Sequence, residues 1–133
     1  MKIEKMQAYV DSNLEEDDQL VGFFWGMQPM KLWLFAVVGP FAALSMKFYV
    51  VSVSQKGLHF HRVNVFEKFA DSIFFSYDEV ETLNMKKGML NTTLNLHFDN
   101  GRKIKLKVAS KGKGAILSET TSAHLLDKFP IAA

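Results

Sequence analysis

A chain of 133 residues is one domain's worth, long enough to bury a real core and too short for a second large domain. With 48% hydrophobic and 23% charged residues it has the mix of a globular fold and not of a disordered chain. The absence of cysteine excludes disulfide scaffolds, thiolate zinc sites and cysteine nucleophiles, and a formal net charge of +2 does not by itself require a polyanionic partner.

In chain order, residues 2–11 predict a short amphipathic helix, with Ile3, Met6 and Val10 recurring at helical spacing. The N-terminal stretch turns acidic and lacks the apolar run of a signal peptide. Glu15 to Asp18 reads as a charged, solvated linker that divides residues 1–18 from a domain over 19–129. Leu20–Met27, short, aromatic and bounded by glycines and Pro29, predicts a strand. From Leu32 to Met46 fifteen residues follow without a charge. As a helix they would span about 22 Å, short of a roughly 30 Å hydrocarbon core, and Gly39-Pro40 would kink them. Three readings of this 30–46 insertion stand: a buried helix or homo-oligomer contact made by Trp33, Leu34, Phe35 and Phe41, a shallow membrane-dipping or partner-binding patch, and a membrane anchor.

Phe48–Ser54 is rich in β-branched and aromatic residues, and Gly57 followed by LHFHRVNVF completes a hairpin signal. A four-residue loop, Ser54–Gly57, pairs Val53 with Leu58 and Val51 with Phe60, so the apolar sets share a face. Asp71–Ser76 is a further strand, Ser76-Tyr77-Asp78-Glu79 has capping-box spacing, and Val80–Met85 continues as a strand up to a turn at Lys86-Lys87-Gly88. In TTLNLHF-DNG-RKIKLKV, Leu94, Leu96 and Phe98 alternate with polar residues, as do Ile104, Leu106 and Val108. A two-residue Asn100-Gly101 turn would set Leu96 against Lys105. A three-residue loop, Asp99-Asn100-Gly101 with Gly101 left-handed, sets Leu96 against Ile104 and Leu94 against Leu106, and pairing parity selects it. The opposite face then carries Thr93, Asn95 and His97 beside Lys103, Lys105 and Lys107. Residues 115–128 predict a C-terminal helix, stopped by Pro130.

The assembled order is a helix, about seven short antiparallel strands and a closing helix, which argues for a bent sheet or barrel with one open end covered. Four stretches, YVVSVSQKGLHFHRV, FFSYDEVETLNMKKGML, LNLHFDNGRKIKLKV and the closing helix, resemble the bacterial pleckstrin-homology (PH) domain-like families. The likeness covers roughly residues 19–129 and rests on Tyr49–Leu58, Phe75–Val80, Lys87-Gly88 and Asn100–Ile104. It implies a mainly β, PH-like fold: a seven-stranded antiparallel bent sheet or barrel capped by a C-terminal helix, here with an added N-terminal helix. It also implies a non-catalytic binding or assembly module in the cytoplasm, including the inner face of the membrane. The sequence departs from the family at the apolar insertion, which falls where eukaryotic phosphoinositide-binding PH domains carry a basic ligand loop. Only Lys31 and Lys47 flank it, so phosphoinositide binding does not carry over.

The near-neutral total hides an asymmetry. Residues 1–20 hold six acids against two lysines, a net of −4, and residues 86–113 hold eight bases against Asp99, a net of +7. The candidate anion or partner-binding patch is therefore Lys103, Lys105 and Lys107 with His97 and Asn95. Its expected partner is a protein, a second copy of the chain or an anionic membrane surface. Nucleic acid is disfavoured, because single-strand binders interleave aromatic residues with their bases. His59 and His61, at i and i+2, read as a surface strand face and not as metal ligands, since no third ligand is placed beside them. No nucleophile elbow and no glycine-rich phosphate loop occurs, so catalysis, a metal, a cofactor and a small-molecule substrate are not expected.

Overall fold

The fold is taken from a computed structural model that describes residues 2–28, 47–64, 66, 68–109 and 114–129. Helix α1 (Ile3–Asn13) precedes seven strands: β1 (Leu20–Gln28), β2 (Lys47–Ser54), β3 (Gly57–Val63), β4 (Phe69–Ser76), β5 (Val80–Lys87), β6 (Asn91–Phe98) and β7 (Lys103–Ala109). Helix α2 (Glu119–Lys128) closes the chain. The strands form one antiparallel sheet in the order β4-β3-β2-β1-β7-β6-β5, which is not closed into a barrel. The apolar insertion, with Trp33, Leu34, Phe35 and Phe41, lies outside the described residues.

Both predicted registers are present. Val51 pairs with Phe60 and Val53 with Leu58 across the first hairpin. Leu96 pairs with Ile104 and Leu94 with Leu106 across the last, and Gly101 adopts φ 87° at its turn. That loop is closed by Phe98 N–H donating to the Arg102 carbonyl at 2.9 Å, with Asn100 Oδ1 accepting from Arg102 N–H at 2.9 Å. The predicted capping box is also formed, by Ser76 and Glu79 over a single 3-10 turn, Tyr77–Glu79, that joins β4 to β5.

Two sheet-spanning clusters follow from strand parity. The inner face collects Phe24, Val51, Val53, Leu58, Phe60, Phe75, Leu83, Leu94, Leu96, Phe98, Leu106 and Val108, closed by Leu117, Leu125 and Phe129 from the α2 region. The outer face of β1–β3, with Phe69 at the start of β4, is covered by α1, whose buried Met6 and Val10 pack on Val50 and Val63. Burial of two such side chains stabilises by roughly 1.5–3 kcal/mol each. Strand β2 is therefore buried on both faces, which explains why FYVVSVS shows no clean alternation.

Helix α2 starts later than composition predicts. Ser118 is its N-cap, its Oγ accepting from Thr121 N–H at 3.2 Å, so the helix begins at Glu119. The residues before it serve as a seam instead. β1 and β7 pair only at Gly26–Val108 and Met27–Lys107. Trp25 N–H donates to the Ala115 carbonyl at 2.9 Å, and Leu117 N–H donates to the Ala109 carbonyl at 3.0 Å, so the connector carries backbone bonding across the bend. Helix α2 then lies so close to β1 that a Cβ on Gly22 would overlap the Thr121 hydroxyl.

Candidate docking face

The lysine patch is built by the pleat. On β7, Ile104, Leu106 and Val108 point toward the core side and Lys103, Lys105 and Lys107 are exposed on the other. Same-face residues on a strand are about 6.7 Å apart, so the three ammonium groups form a row. Cross-strand pairing sets Thr93 beside Lys107, Asn95 beside Lys105 and His97 beside Lys103. The predicted convergence of Lys103, Lys105, Lys107, His97 and Asn95 on one face is thus what the register produces.

One member of the face is not in the predicted patch. Lys86 is still within β5 and pairs with Thr93, placing it across β6 from Lys107. With strands about 4.8 Å apart the two lysines flank Thr93 at roughly 10 Å. The turn predicted at Lys86-Lys87-Gly88 begins only at Gly88, because β5 runs through Lys87. The signal was present: with Leu83 and Met85 packed on the core, parity sends Asn84 and Lys86 outward. Between these lysines lies a groove of about 510 Å³ with Thr93 and Asn95 in its lining. Among the described residues no acidic side chain forms an ion pair with Lys86, Lys103, Lys105 or Lys107. The face offers ammonium, hydroxyl and amide groups, a set suited to holding anions.

The acidic run and the histidines have structural roles. Asp18 is buried and does not lie in a solvated linker: it accepts from Ser54 Oγ at 2.6 Å, from Gln19 N–H at 2.8 Å and from Lys56 N–H at 3.2 Å. Asp17 and Glu15 pair with the Lys56 ammonium at 2.6 and 3.3 Å. The hydrogen bond and charge of Lys56 hold the Asp17 carboxyl below its usual range, and Asp17 in turn raises the lysine. Together these residues clamp the β2–β3 turn.

His61 corrects the reading of a surface histidine pair. It is 1% exposed, with Tyr9 of α1 edge-on at 5.2 Å and Tyr9 stacked on Phe69 at 3.7 Å. Burial, aided by neighbouring His59, lowers its pKa to about 4, so the ring is neutral at pH 7. Its Nε2 lies 3.4 Å from Ser52 Oγ, and its Nδ1 is buried with no hydrogen-bond partner among the described residues. His59 is half-buried and lowered as well, chiefly by desolvation. Among the described residues no group of three metal-ligating side chains is assembled. Tyr77 hydroxyl donates to the Ser54 carbonyl at 2.5 Å and lies 3.0 Å from His124 Nε2, which ties the β4–β5 connection to α2. Burial raises the Tyr77 pKa.

In sequence, no protein family and no curated protein matches the chain. In structure it is similar to the hSac2 domain from the human phosphoinositide phosphatase Sac2, at 11% identity and a TM-score of 0.57, covering 94% of this chain and 77% of that one. It is also similar to the C-terminal domain of an unknown protein from Leishmania infantum, at 13% identity and a TM-score of 0.56, covering 96% and 97%. The shared property is the fold. Among the described residues no helix is long and apolar enough to cross a membrane.

Proposed function

We propose that this chain is a non-catalytic binding module, related to the bacterial PH-domain-like proteins, that docks onto an anionic surface through the outer face of β5–β7. The observation that carries this reading is the lysine ladder: Lys103, Lys105 and Lys107 from one strand and Lys86 from another converge where no acid pairs with them among the described residues. Four cations on one face set up the local field that the +2 total conceals. The module uses no cofactor and turns over no substrate. Its partner is a protein, a second copy of the chain or an anionic membrane, met in the cytoplasm or at the inner face of the membrane. Nucleic acid fits less well, because Thr93, Asn95 and His97 stand where stacking aromatics would be needed. The hSac2 domain comes from a phosphoinositide phosphatase, and its likeness in fold agrees with a role beside anionic lipids.

Retention on immobilised heparin at low salt tests the face without presupposing the partner. The wild type is expected to bind with an affinity that falls steeply with salt. The triple variant Lys103→Glu, Lys105→Glu, Lys107→Glu is expected to bind at least about tenfold more weakly, since each phosphate or sulfate contact releases counterions. Equal retention of the two proteins would remove the reading.

A further inference from the structure

Resting on the reading of β5–β7 as an anion-docking face, we propose that the anionic partner is a phospholipid bilayer and that the β5–β6 turn is the element that enters it. The turn is tight: Gly88 N–H donates to the Asn91 carbonyl at 2.7 Å, leaving Met89 and Leu90 at its two corners. Turn corners are ordinarily glycine, proline or short polar residues, which supply the backbone angles and local hydrogen bonds a turn needs. Here they are two long, flexible apolar side chains, Met89 86% and Leu90 69% exposed. Immediately behind them stand Lys86 and Lys87 on β5, and across the groove Lys107 on β7.

A convex apolar tip backed by cations matches the depth profile of a bilayer surface. Met89 and Leu90 reach below the headgroups while the lysine stems lie along the interface and their ammonium groups stay at phosphate level. A protein partner would need a pocket shaped to the tip, whereas acyl chains need none. The other described turns lack this combination. The β6–β7 tip is Asp99-Asn100-Gly101, and the β2–β3 tip is held in the acidic cluster around Lys56. Phe66 is 78% exposed between β3 and β4, but there Arg62 is paired with Asp71 at 2.6 Å and no comparable row of lysines is described. One orientation therefore presents the tip and the lysine ladder together while turning the acidic cluster elsewhere.

The test uses the full chain with phosphatidylcholine vesicles, with and without phosphatidylserine, beside heparin retention. The wild type is expected to co-sediment with the anionic vesicles alone. Met89→Ser with Leu90→Ser, which removes the apolar tip without adding charge, should weaken that binding about tenfold or more while keeping heparin retention, because the tip contributes apolar insertion and not charge. The triple lysine-to-glutamate variant should lose both. Because the chain has no cysteine, Met89→Cys takes a single environment-sensitive fluorophore. Its emission should shift to the blue on adding anionic vesicles, and that of Gln55→Cys, on the acidic side, should not. Unchanged vesicle binding by the tip variant, or no shift at position 89, overturns the insertion and leaves the docking face standing. Wild-type retention on heparin without any vesicle binding does the same. Failure of the wild type to bind either one overturns both.

Discussion

The outer surface of this sheet is used in two opposite ways. Over β1–β3 it is apolar and roofed by α1, and it holds His61 neutral beneath Tyr9. Over β5–β7 the same surface is exposed among the described residues and carries Lys103, Lys105 and Lys107 on β7. Strand chemistry accounts for the difference. On β2 and β3 the outward positions are Val50, Ser52, His61 and Val63, small or apolar enough to accept a helix. On β7 they are lysines, whose desolvation under a helix would cost several kcal/mol each without carboxylate partners. The covered half contributes burial to the domain, and the lysine-bearing half is the face proposed above to meet a partner.

Stability measurements can break that comparison, beginning with the roof. Met6→Ala with Val10→Ala removes the two buried anchors of α1 and is expected to cost about 3–5 kcal/mol by urea denaturation. Cavity formation in the roofed half should be felt by the whole fold, so a loss confined to helix content would show that α1 is dispensable. Acidification comes next. His61 titrates near 4 when folded and near 6.5 when unfolded. Between those values the unfolded chain takes up a proton that the folded ring refuses, so stability should fall as pH drops from about 6.5 to 4, by up to about 3 kcal/mol. A His61→Phe variant should flatten that stretch of the pH–stability curve, and an unaltered curve would mean that the ring is not held neutral. Asp18→Ala strips the acceptor from Ser54 Oγ and from two backbone N–H groups and should cost about 2 kcal/mol, read from the urea midpoint. On the lysine-bearing half, Lys105→Ala should change stability by no more than about 0.5 kcal/mol, because the side chain is exposed and unpaired among the described residues. A larger loss there would mean that the lysine row is structural, and the two halves would no longer differ in kind.

What was legible in the sequence was whatever parity could decide. Leu94, Leu96, Ile104 and Leu106 can share a face only if the last hairpin has a three-residue loop, and that choice also places Lys103, Lys105 and Lys107 together. Strand, turn and cap signals taken in chain order led to a seven-stranded antiparallel sheet between two helices, as found. Pairing information between distant segments was not legible. The stripe of Met6 and Val10 shows that α1 buries one side, but nothing local says against which strands, so His59 and His61 read as surface residues. Asp18 looked solvated beside three other acids because its partners, Ser54 and the Lys56 backbone, lie far along the chain. Lys86 was missed for a different reason: a Lys-Lys-Gly run reads as a turn, although β5 parity continues through it.

The seam at β1 has a consequence for how the chain acquires its structure. Gly26 meets Val108, Trp25 meets Ala115, and Gly22 lies against Thr121, so β1 finds its second neighbour only in the last part of the sequence. During synthesis β2 to β4 can zip together by short hairpin steps and β1 joins β2 across residues 29–46, but one edge of β1 stays unpaired until β7 and the connector emerge. Such distant pairing raises contact order, and closure of the bend is expected to be the slow step of folding. A chain shortened before Ala115 would keep its local hairpins and expose the aromatic β1 edge, and aggregation should be its dominant fate.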